Sequence, residues 1–338
     1  MADRAEGWVH RSHHPHAYHP DDGPPGPSDE NEGEGLLSHL QLHRAMSMNQ
    51  ANTCRKTGLM ISLYRFKQLI RDYEPLPFEV ISSTLQLRFR VPMHHALKNY
   101  NRLSLAVRTA AHYFPPGPLT VADLGTYPGS LLRLLRCLLP PDKCRLIGVG
   151  LMITDEFRRA MAEDCAAEIL AVNLDPSNDQ LRGKGYPTRI PLEDGSVDFA
   201  FVLEVIEHLV SPSHLIAEAF RLLAPGGYLL ATTPNVTRIG SVFKLLVGRS
   251  NFDRLIPLDY DHPEDEWRPH FREYTLGELC ECFRLAGLHV VEARHFLTKD
   301  TRYNVKTLSQ RLIDLAKIPF HLIPHLRGNL LVVGRKPI

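Results

Sequence analysis

The chain contains 338 residues, of which 43% are hydrophobic and 23% are charged, and 39 Lys and Arg residues against 38 Asp and Glu residues leave a net charge of +1. This composition excludes collagen-like, coiled-coil and wholly disordered proteins, and the near-neutral charge gives no strong overall attraction to nucleic acid or to an anionic membrane. We find no signal peptide and no run of about 20 apolar residues that would span a membrane. The six cysteines are scattered without metal-ligand spacing, so we expect free thiols and a soluble, cytoplasmic protein.

Residues 1–35 form a compositionally distinct N-terminal segment. They hold eight acidic and two basic residues, a net charge of −6, so the remaining residues carry +7. The segment is rich in proline and has almost no apolar side chains to bury, which predicts a disordered tail. Histidine clusters also bind metal ions, but no predicted fold fixes the five histidines of this tail, which are His10, His13, His14, His16 and His19.

Residues 36–118 have a mixed composition with helical patterns at 64–73 and 94–113. The Pro-Pro-Gly-Pro run at 115–118 then interrupts the chain, because proline and glycine end regular structure. We therefore predict a helical N-terminal extension over 36–118 and a main domain over 119–338.

The main domain alternates between strand-like and helix-like segments. Apolar runs predict strands at 119–124, 145–149, 169–174, 197–203, 228–233, 288–293 and 330–334. Helices are predicted at 130–139 and 154–163, after Ser211-Pro212, and after the capping box from Thr275 to Glu278. This alternation predicts an α/β fold with a mostly parallel sheet and helices on both faces.

The turn after the first predicted strand is the expected ligand site, since parallel sheets bind ligands at the carboxyl ends of their strands. Gly125 permits a tight turn there, and Gly129 opens the next helix with its free N–H groups. The turn has neither the dinucleotide-binding glycine pattern nor the lysine of a P-loop, so nicotinamide and ATP sites are disfavoured.

Five segments carry a resemblance to a known family. They are DLGTYPG at 123–129, IPLEDGSVD at 190–198, LEVIEH at 203–208, RLLAPGG at 221–227 and TPN at 233–235. In order and spacing they resemble the motifs of class I S-adenosylmethionine-dependent methyltransferases of the type 11 kind, over about residues 100–338. The resemblance implies a Rossmann-like, seven-stranded sheet and methyl transfer from S-adenosylmethionine.

The resemblance also implies which residues hold the cofactor: Asp123, Gly125, Gly129, Gly150, Asn173, Leu203 and Glu204. Two positions depart from the family pattern. Gly150 stands where an acidic residue usually binds the ribose hydroxyls, and Tyr127 stands at a position that is commonly glycine. A methyltransferase-fold scaffold with weak or no cofactor binding therefore remains the alternative to an enzyme.

Transfer to a hydroxyl group requires that its proton be removed by a base or with the help of a metal ion. His208, His262 and His270 are the candidate bases, and each is also a candidate structural histidine. Glu204, Glu207 and His208 have a spacing that resembles ubiquinone-pathway O-methyltransferases, which implies a magnesium site. The alternative is that Glu207 and His208 only tie the strand end to the next loop.

Residues 235–274 exceed what the sheet needs and are interpreted as a lid, with a surface insertion as the alternative. Tyr260 and Trp267 within them would suit a sugar-like acceptor, so a small-molecule, glycan or lipid acceptor is expected and nucleic acid is disfavoured. The amphipathic segment 308–326 is interpreted as a cap on the sheet rather than a membrane contact. The sequence does not address the oligomeric state.

Overall fold

A computed structural model of the chain describes residues 61–81, 87, 89, 91–151, 153–177, 185–251, 270–297 and 304–338. The chain divides into two units, 1–46 and 47–338, and every described residue belongs to the second. The predicted tail, Cys54, Tyr260, His262 and Trp267 lie outside the described residues. The five cysteines that the structure describes are free thiols, as predicted.

The strands form one seven-stranded sheet in the order β3-β2-β1-β4-β5-β7-β6. Their bounds are β1 Leu119–Leu124, β2 Cys144–Gly150, β3 Ala167–Ala171, β4 Val197–Leu203, β5 Leu223–Pro234, β6 His289–Phe296 and β7 Asn329–Arg335. β1 to β5 are parallel, and β7 pairs antiparallel with both β5 and β6. The predicted Rossmann-like, mostly parallel sheet is confirmed.

The helices of the described residues are α1 Leu63–Arg71, α2 His95–Lys98, α3 Tyr100–Ala110, α4 Ser130–Arg136, α5 Asp155–Cys165, α6 Pro212–Leu222, α7 Ile239–Leu246, α8 Leu276–Leu285 and α9 Leu308–His321. The predicted starts of α6 and α8 are confirmed. Pro212 occupies the first turn of α6, where no N–H is needed, and Thr275 and Glu278 form the capping box of α8.

Each strand contributes side chains to both faces of the sheet, because successive residues of a strand point to opposite sides. In β1, Leu119 and Val121 join a hydrophobic cluster with residues of α1, α3, α4 and α5. Ala122 and Leu124 join a second cluster with residues of α6 and α8. Helices therefore cover both faces, which explains why the central strands are almost wholly apolar.

The helices that precede residue 118 pack on the sheet. Phe66 of α1 is fully buried, and its ring centroid lies 6.0 Å from that of Tyr100 in α3. Both belong to the same cluster as Val121 of β1. The domain boundaries from the sequence stay predictions, but the described part of the extension shares its core with the sheet.

Several predicted bounds differ from the structure, and β5, for example, begins at Leu223 instead of residue 228. The third strand ends at Ala171 instead of residue 174, because the Asn173 side chain accepts a hydrogen bond from Asp175 N (2.9 Å) and closes a turn. The prediction that 308–326 caps the sheet is wrong, since α9 buries none of its residues. Among the described residues, no helix is both long enough and apolar enough to cross a membrane.

A buried ion pair joins the N-terminal extension to α4. The Glu79 carboxylate is 1% exposed and pairs with the Arg133 guanidinium. It also accepts hydrogen bonds from Tyr73 Oη, Ser130 Oγ and Leu76 N, the last at 2.9 Å. A buried charge is tolerated only when it is paired and hydrogen-bonded in this way.

We expect Glu79→Ala to lower the free energy of unfolding by about 3 kcal/mol, because the Arg133 guanidinium loses its buried partner and keeps only the partly exposed Asp164 carboxylate. The matched control is Glu168→Ala, which breaks the exposed pair with Arg145 and is expected to cost less than about 1 kcal/mol. Denaturant titration of both variants measures the difference. Equal losses in the two variants would contradict a structural role for the buried pair.

Candidate active site

The strand order places a crevice at the carboxyl ends of β1 and β4. The chain runs from β1 outward to β2 and β3, and then returns to place β4 on the other side of β1. Connections that leave two neighbouring strands in opposite directions open a crevice between them. Both LGTYPG and LEVIEH follow these strand ends, so the structure brings these two motifs together.

The glycine turn is shaped by two residues with positive φ. Gly125 (φ +110°) donates its N–H to Val149 O at 2.8 Å, and a Cβ here would lie 2.2 Å from Val205 Cγ2. Gly129 (φ +89°) precedes α4, and its Cβ would lie 2.5 Å from Met161 Sδ. Only glycine fits both positions, and the turn delivers the unbonded N–H groups of the first turn of α4 to the crevice.

Asp123 lies near the end of β1 and is 4% exposed. Burial raises the pKa of its carboxyl group to about 7, against the opposing influence of the Thr126 hydroxyl and the Arg102 cation. A carboxyl group that titrates near neutrality inside a crevice marks a candidate binding site.

Arg102 is a site residue that sequence reasoning missed. It lies in α3, and its Nη1 atom is 3.2 Å from Glu204 Oε2 at the end of β4. Its Nε atom is buried and has no hydrogen-bond partner among the described residues. A lone arginine in an amphipathic helix carries no motif, so only the fold shows that it reaches the crevice.

Glu204 connects three strands to α3. Its backbone has a φ of +57°, a left-handed conformation that costs about 1 kcal/mol or more for a non-glycine residue and is concentrated at functional sites. Its carboxylate accepts hydrogen bonds from Thr232 Oγ1 of β5 (2.9 Å) and Asn329 Nδ2 of β7 (3.1 Å), besides the pair with Arg102. The carboxylate is therefore fully occupied by protein groups.

The other predicted cofactor residues lie at the ends of β2 and β4 or shortly after β3. Gly150 ends β2, and a Cβ there would lie 3.2 Å from Ile153 Cδ1. Leu203 ends β4 and is half-buried, and Asn173 follows β3 with its side-chain oxygen bonded to Asp175 N. Tyr127 is 46% exposed and packs on Phe157, with ring centroids 5.4 Å apart. Their roles toward a cofactor stay predictions.

Two of the three candidate bases lie side by side. The ring centroids of His208 and His270 are 4.7 Å apart, and the two rings meet edge to face. His270 Nδ1 lies 3.2 Å from Glu273 Oε1, and the same carboxylate pairs with Arg238. Burial alone would raise the pKa of Glu273, but the bonds from His270 and Arg238 hold it below its usual value. The anionic Glu273 therefore orients the His270 ring.

The predicted metal ligands are only partly grouped. Glu207, His208 and His270 have potential ligand atoms within 4.8 Å of one another, whereas Glu204 is held by Arg102 and is not part of that group. Burial and the neighbouring Glu204 raise the pKa of Glu207. Two imidazoles and one carboxyl group do not fit magnesium, which takes oxygen ligands.

Comparison with known proteins identifies the family. Residues 93–293 match a family described as a methyltransferase domain. The chain belongs to this methyltransferase family. The resemblance seen in the five motifs is thereby confirmed, and class I S-adenosylmethionine-dependent methyltransferase is the class of the protein.

Two curated relatives illustrate the range of similarity. A "Probable S-adenosylmethionine-dependent methyltransferase" of Mycolicibacterium smegmatis is 34% identical over 106 residues, which cover 31% of this chain and 34% of the relative. A ubiquinone biosynthesis O-methyltransferase of Xanthomonas oryzae pv. oryzae is 32% identical over 171 residues, which cover 50% of this chain and 58% of the relative. The chain thus spans less than two thirds of the length of either relative.

Among solved structures, an S-adenosylmethionine-dependent methyltransferase from Mesorhizobium loti is similar with a TM-score of 0.41 and 17% sequence identity. The match covers 68% of this chain and 98% of that protein.

The raised pKa of Asp123 predicts a pH dependence of stability. The unfolded chain ionises this group near its ordinary value of 3.8, whereas the folded protein does so at about 7. The protonated Asp123 therefore stabilises the folded state fully below about pH 4. This stabilisation is lost as the pH rises from there through about 7. Relative to Asp123→Asn, the parent should lose up to about 4 kcal/mol over this range. Urea unfolding of both proteins across the range measures it, and parallel stability curves would contradict the assignment.

Proposed function

We propose that this protein is an O-methyltransferase that transfers the methyl group of S-adenosylmethionine directly to a hydroxyl group of a small-molecule, glycan or lipid-type acceptor. The observation that carries the proposal is the junction of two motifs at the switch point of strand order, where the glycine turn after β1 meets the LEVIEH segment after β4. Asp123 and Arg102 lie near the end of β1 beside the glycine turn, and His208 follows β4 with the ring of His270 packed against its own. The relative in ubiquinone biosynthesis supports oxygen as the accepting atom.

The proposed cofactor site uses charge and backbone N–H groups. The Arg102 guanidinium, with its unpartnered Nε, is positioned to bind the carboxylate of the cofactor's amino-acid end. The turn from Gly125 to Gly129 lets the cofactor approach the backbone closely. Asn173, Gly150, Leu203 and Glu204 contact the rest of the cofactor in this proposal, as the family resemblance implies.

The proposed chemistry is a single in-line displacement. S-adenosylmethionine bound here would supply a methyl group on a sulfonium; its carbon–sulfur bond would break, with the electron pair left on sulfur, as the carbon–oxygen bond to the acceptor formed. Holding the acceptor oxygen about 3 Å from that carbon provides much of the acceleration. His208 accepts the hydroxyl proton, while His270, oriented by Glu273, packs against the His208 ring. Magnesium is not part of this proposal, because the nearby donor set does not suit it.

A scaffold that lost cofactor affinity is the second candidate, and Gly150 is the observation that favours it. A glycine presents no carboxylate to the ribose hydroxyls, and Ile153 occupies the space beside its Cα. This candidate predicts the same fold with no cofactor binding.

Calorimetric titration with S-adenosylmethionine separates the two candidates. We expect binding by the parent, and binding about 10- to 100-fold weaker in Arg102→Ala, because a charge-assisted hydrogen bond is lost. The matched control is Arg145→Ala, whose side chain is exposed on β2 and should leave binding unchanged. Absence of binding by the parent at millimolar cofactor would reject the enzyme, and unchanged binding in Arg102→Ala would reject this role of Arg102.

Methyl transfer from labelled cofactor to a panel of phenols, sugars and carboxylic acids tests the base. We expect His208→Gln to lower kcat by about 100-fold, since a positioned base contributes on this order, while cofactor affinity is kept. His112→Gln replaces an exposed histidine and is the control. An unchanged kcat in His208→Gln would show that His208 is structural.

A further inference from the structure

Helix α9 is amphipathic, and within the described residues its leucine face covers no protein surface. None of its residues is buried, although it carries a high proportion of leucine and isoleucine. Leu308, Leu312, Leu315 and Leu322 are 73%, 58%, 60% and 77% exposed. They are four, three and seven residues apart, which places them on one helical face. A stripe of leucines with this exposure marks an interaction site.

Helix α7 packs beside α9 and enlarges the apolar surface. The rings of Phe243 and Phe320 meet edge to face at 6.0 Å, and a groove of about 380 Å³ runs between the helices. Leu245, Leu246 and Val247 at the end of α7 are 59%, 75% and 68% exposed. We call the exposed apolar residues of these two helices the α7–α9 surface.

The charges around this surface are almost all positive. Residues 235–251 contain three basic residues and no acidic one, and the only acidic residue of 305–327, Asp314, pairs with Lys306. Within the described residues, five cations of these segments have no carboxylate partner: Lys244, Arg249, Arg311, Lys317 and Arg327, the last of which donates to backbone carbonyls. The whole chain has a net charge of only +1, because acidic residues elsewhere in the sequence offset these cations.

The surface is fixed to the edge of the sheet where the crevice opens. Asn235, directly after β5, donates its Nδ2 hydrogens to His325 O (2.8 Å) and Arg327 O (2.7 Å), in the segment that follows α9. Asn329 at the start of β7 bonds Glu204, the residue that directly follows β4. Whatever binds the α7–α9 surface is therefore held beside the carboxyl ends of β4 and β5.

We propose that the α7–α9 surface attaches the protein to the interface of an anionic phospholipid bilayer. Helices with an apolar face and basic flanks lie in the plane of this interface, with leucines at the acyl boundary and Lys and Arg at the headgroups. A two-fold contact with a second copy would bring like charges together, which disfavours that occupant. The acidic residues 1–35 offer opposite charge but almost no apolar side chains to cover the leucines.

Co-sedimentation of the full chain with vesicles tests the proposal. We expect binding to vesicles of equal phosphatidylglycerol and phosphatidylcholine, and little binding to phosphatidylcholine alone. Leu312→Ser combined with Leu315→Ser should weaken partitioning by about tenfold or more, since two large apolar side chains no longer leave water. The control is Leu285→Ser combined with Val291→Ser, which changes exposed apolar residues elsewhere.

Charge and self-association are tested separately. Arg311→Gln and Lys317→Gln should each weaken partitioning by roughly fivefold at low salt, the effect of one cation at an anionic surface. Vesicle binding that is unchanged in the leucine variant, or equal with and without phosphatidylglycerol, would overturn the proposal. A parent that binds no vesicles and is dimeric by light scattering, with a monomeric leucine variant, would assign the surface to a second copy instead.

Discussion

The contacts of Glu204 set the geometry on which the rest of the site depends. One carboxylate joins Arg102 of α3, Thr232 of β5 and Asn329 of β7 at the end of β4. These four elements are far apart in sequence, so the contact fixes how the helical extension and the antiparallel part of the sheet meet the parallel part. It also holds Arg102 near Asp123, so that a cation and a buried carboxyl group lie at the same end of the sheet.

Sequence reasoning succeeded where a physical signal is local. The strand at 197–203 was predicted with the bounds found, because a strand covered on both faces must be almost wholly apolar. The start of α8 was predicted because Thr275 and Glu278 satisfy the N–H groups of the first helical turn. In contrast, the pairing of His208 with His270 joins residues that no local pattern connects, and neither spacing nor composition indicates it.

The metal prediction shows why spacing alone was insufficient. Residues 204, 207 and 208 would share a face only if the chain continued in one regular conformation. The backbone instead turns left-handed at Glu204 and then forms a 3₁₀ turn over Ile206–His208. This change of direction leaves Glu204 with Arg102 and places Glu207 and His208 beside His270, a residue that arrives from the far end of the 235–274 segment.

The distribution of charge matters more than its sum in this chain. Acidic residues are concentrated in 1–35, and unpaired cations border the most apolar exposed helices. An amphipathic pattern specifies which face of a helix is apolar, but not what covers it, which is why α9 was assigned to the sheet from sequence. The bonds from Asn235 hold that uncovered face beside the crevice. A methyl acceptor with an apolar part would then meet the crevice from the bilayer surface, where its local concentration is highest, without a separate recognition domain.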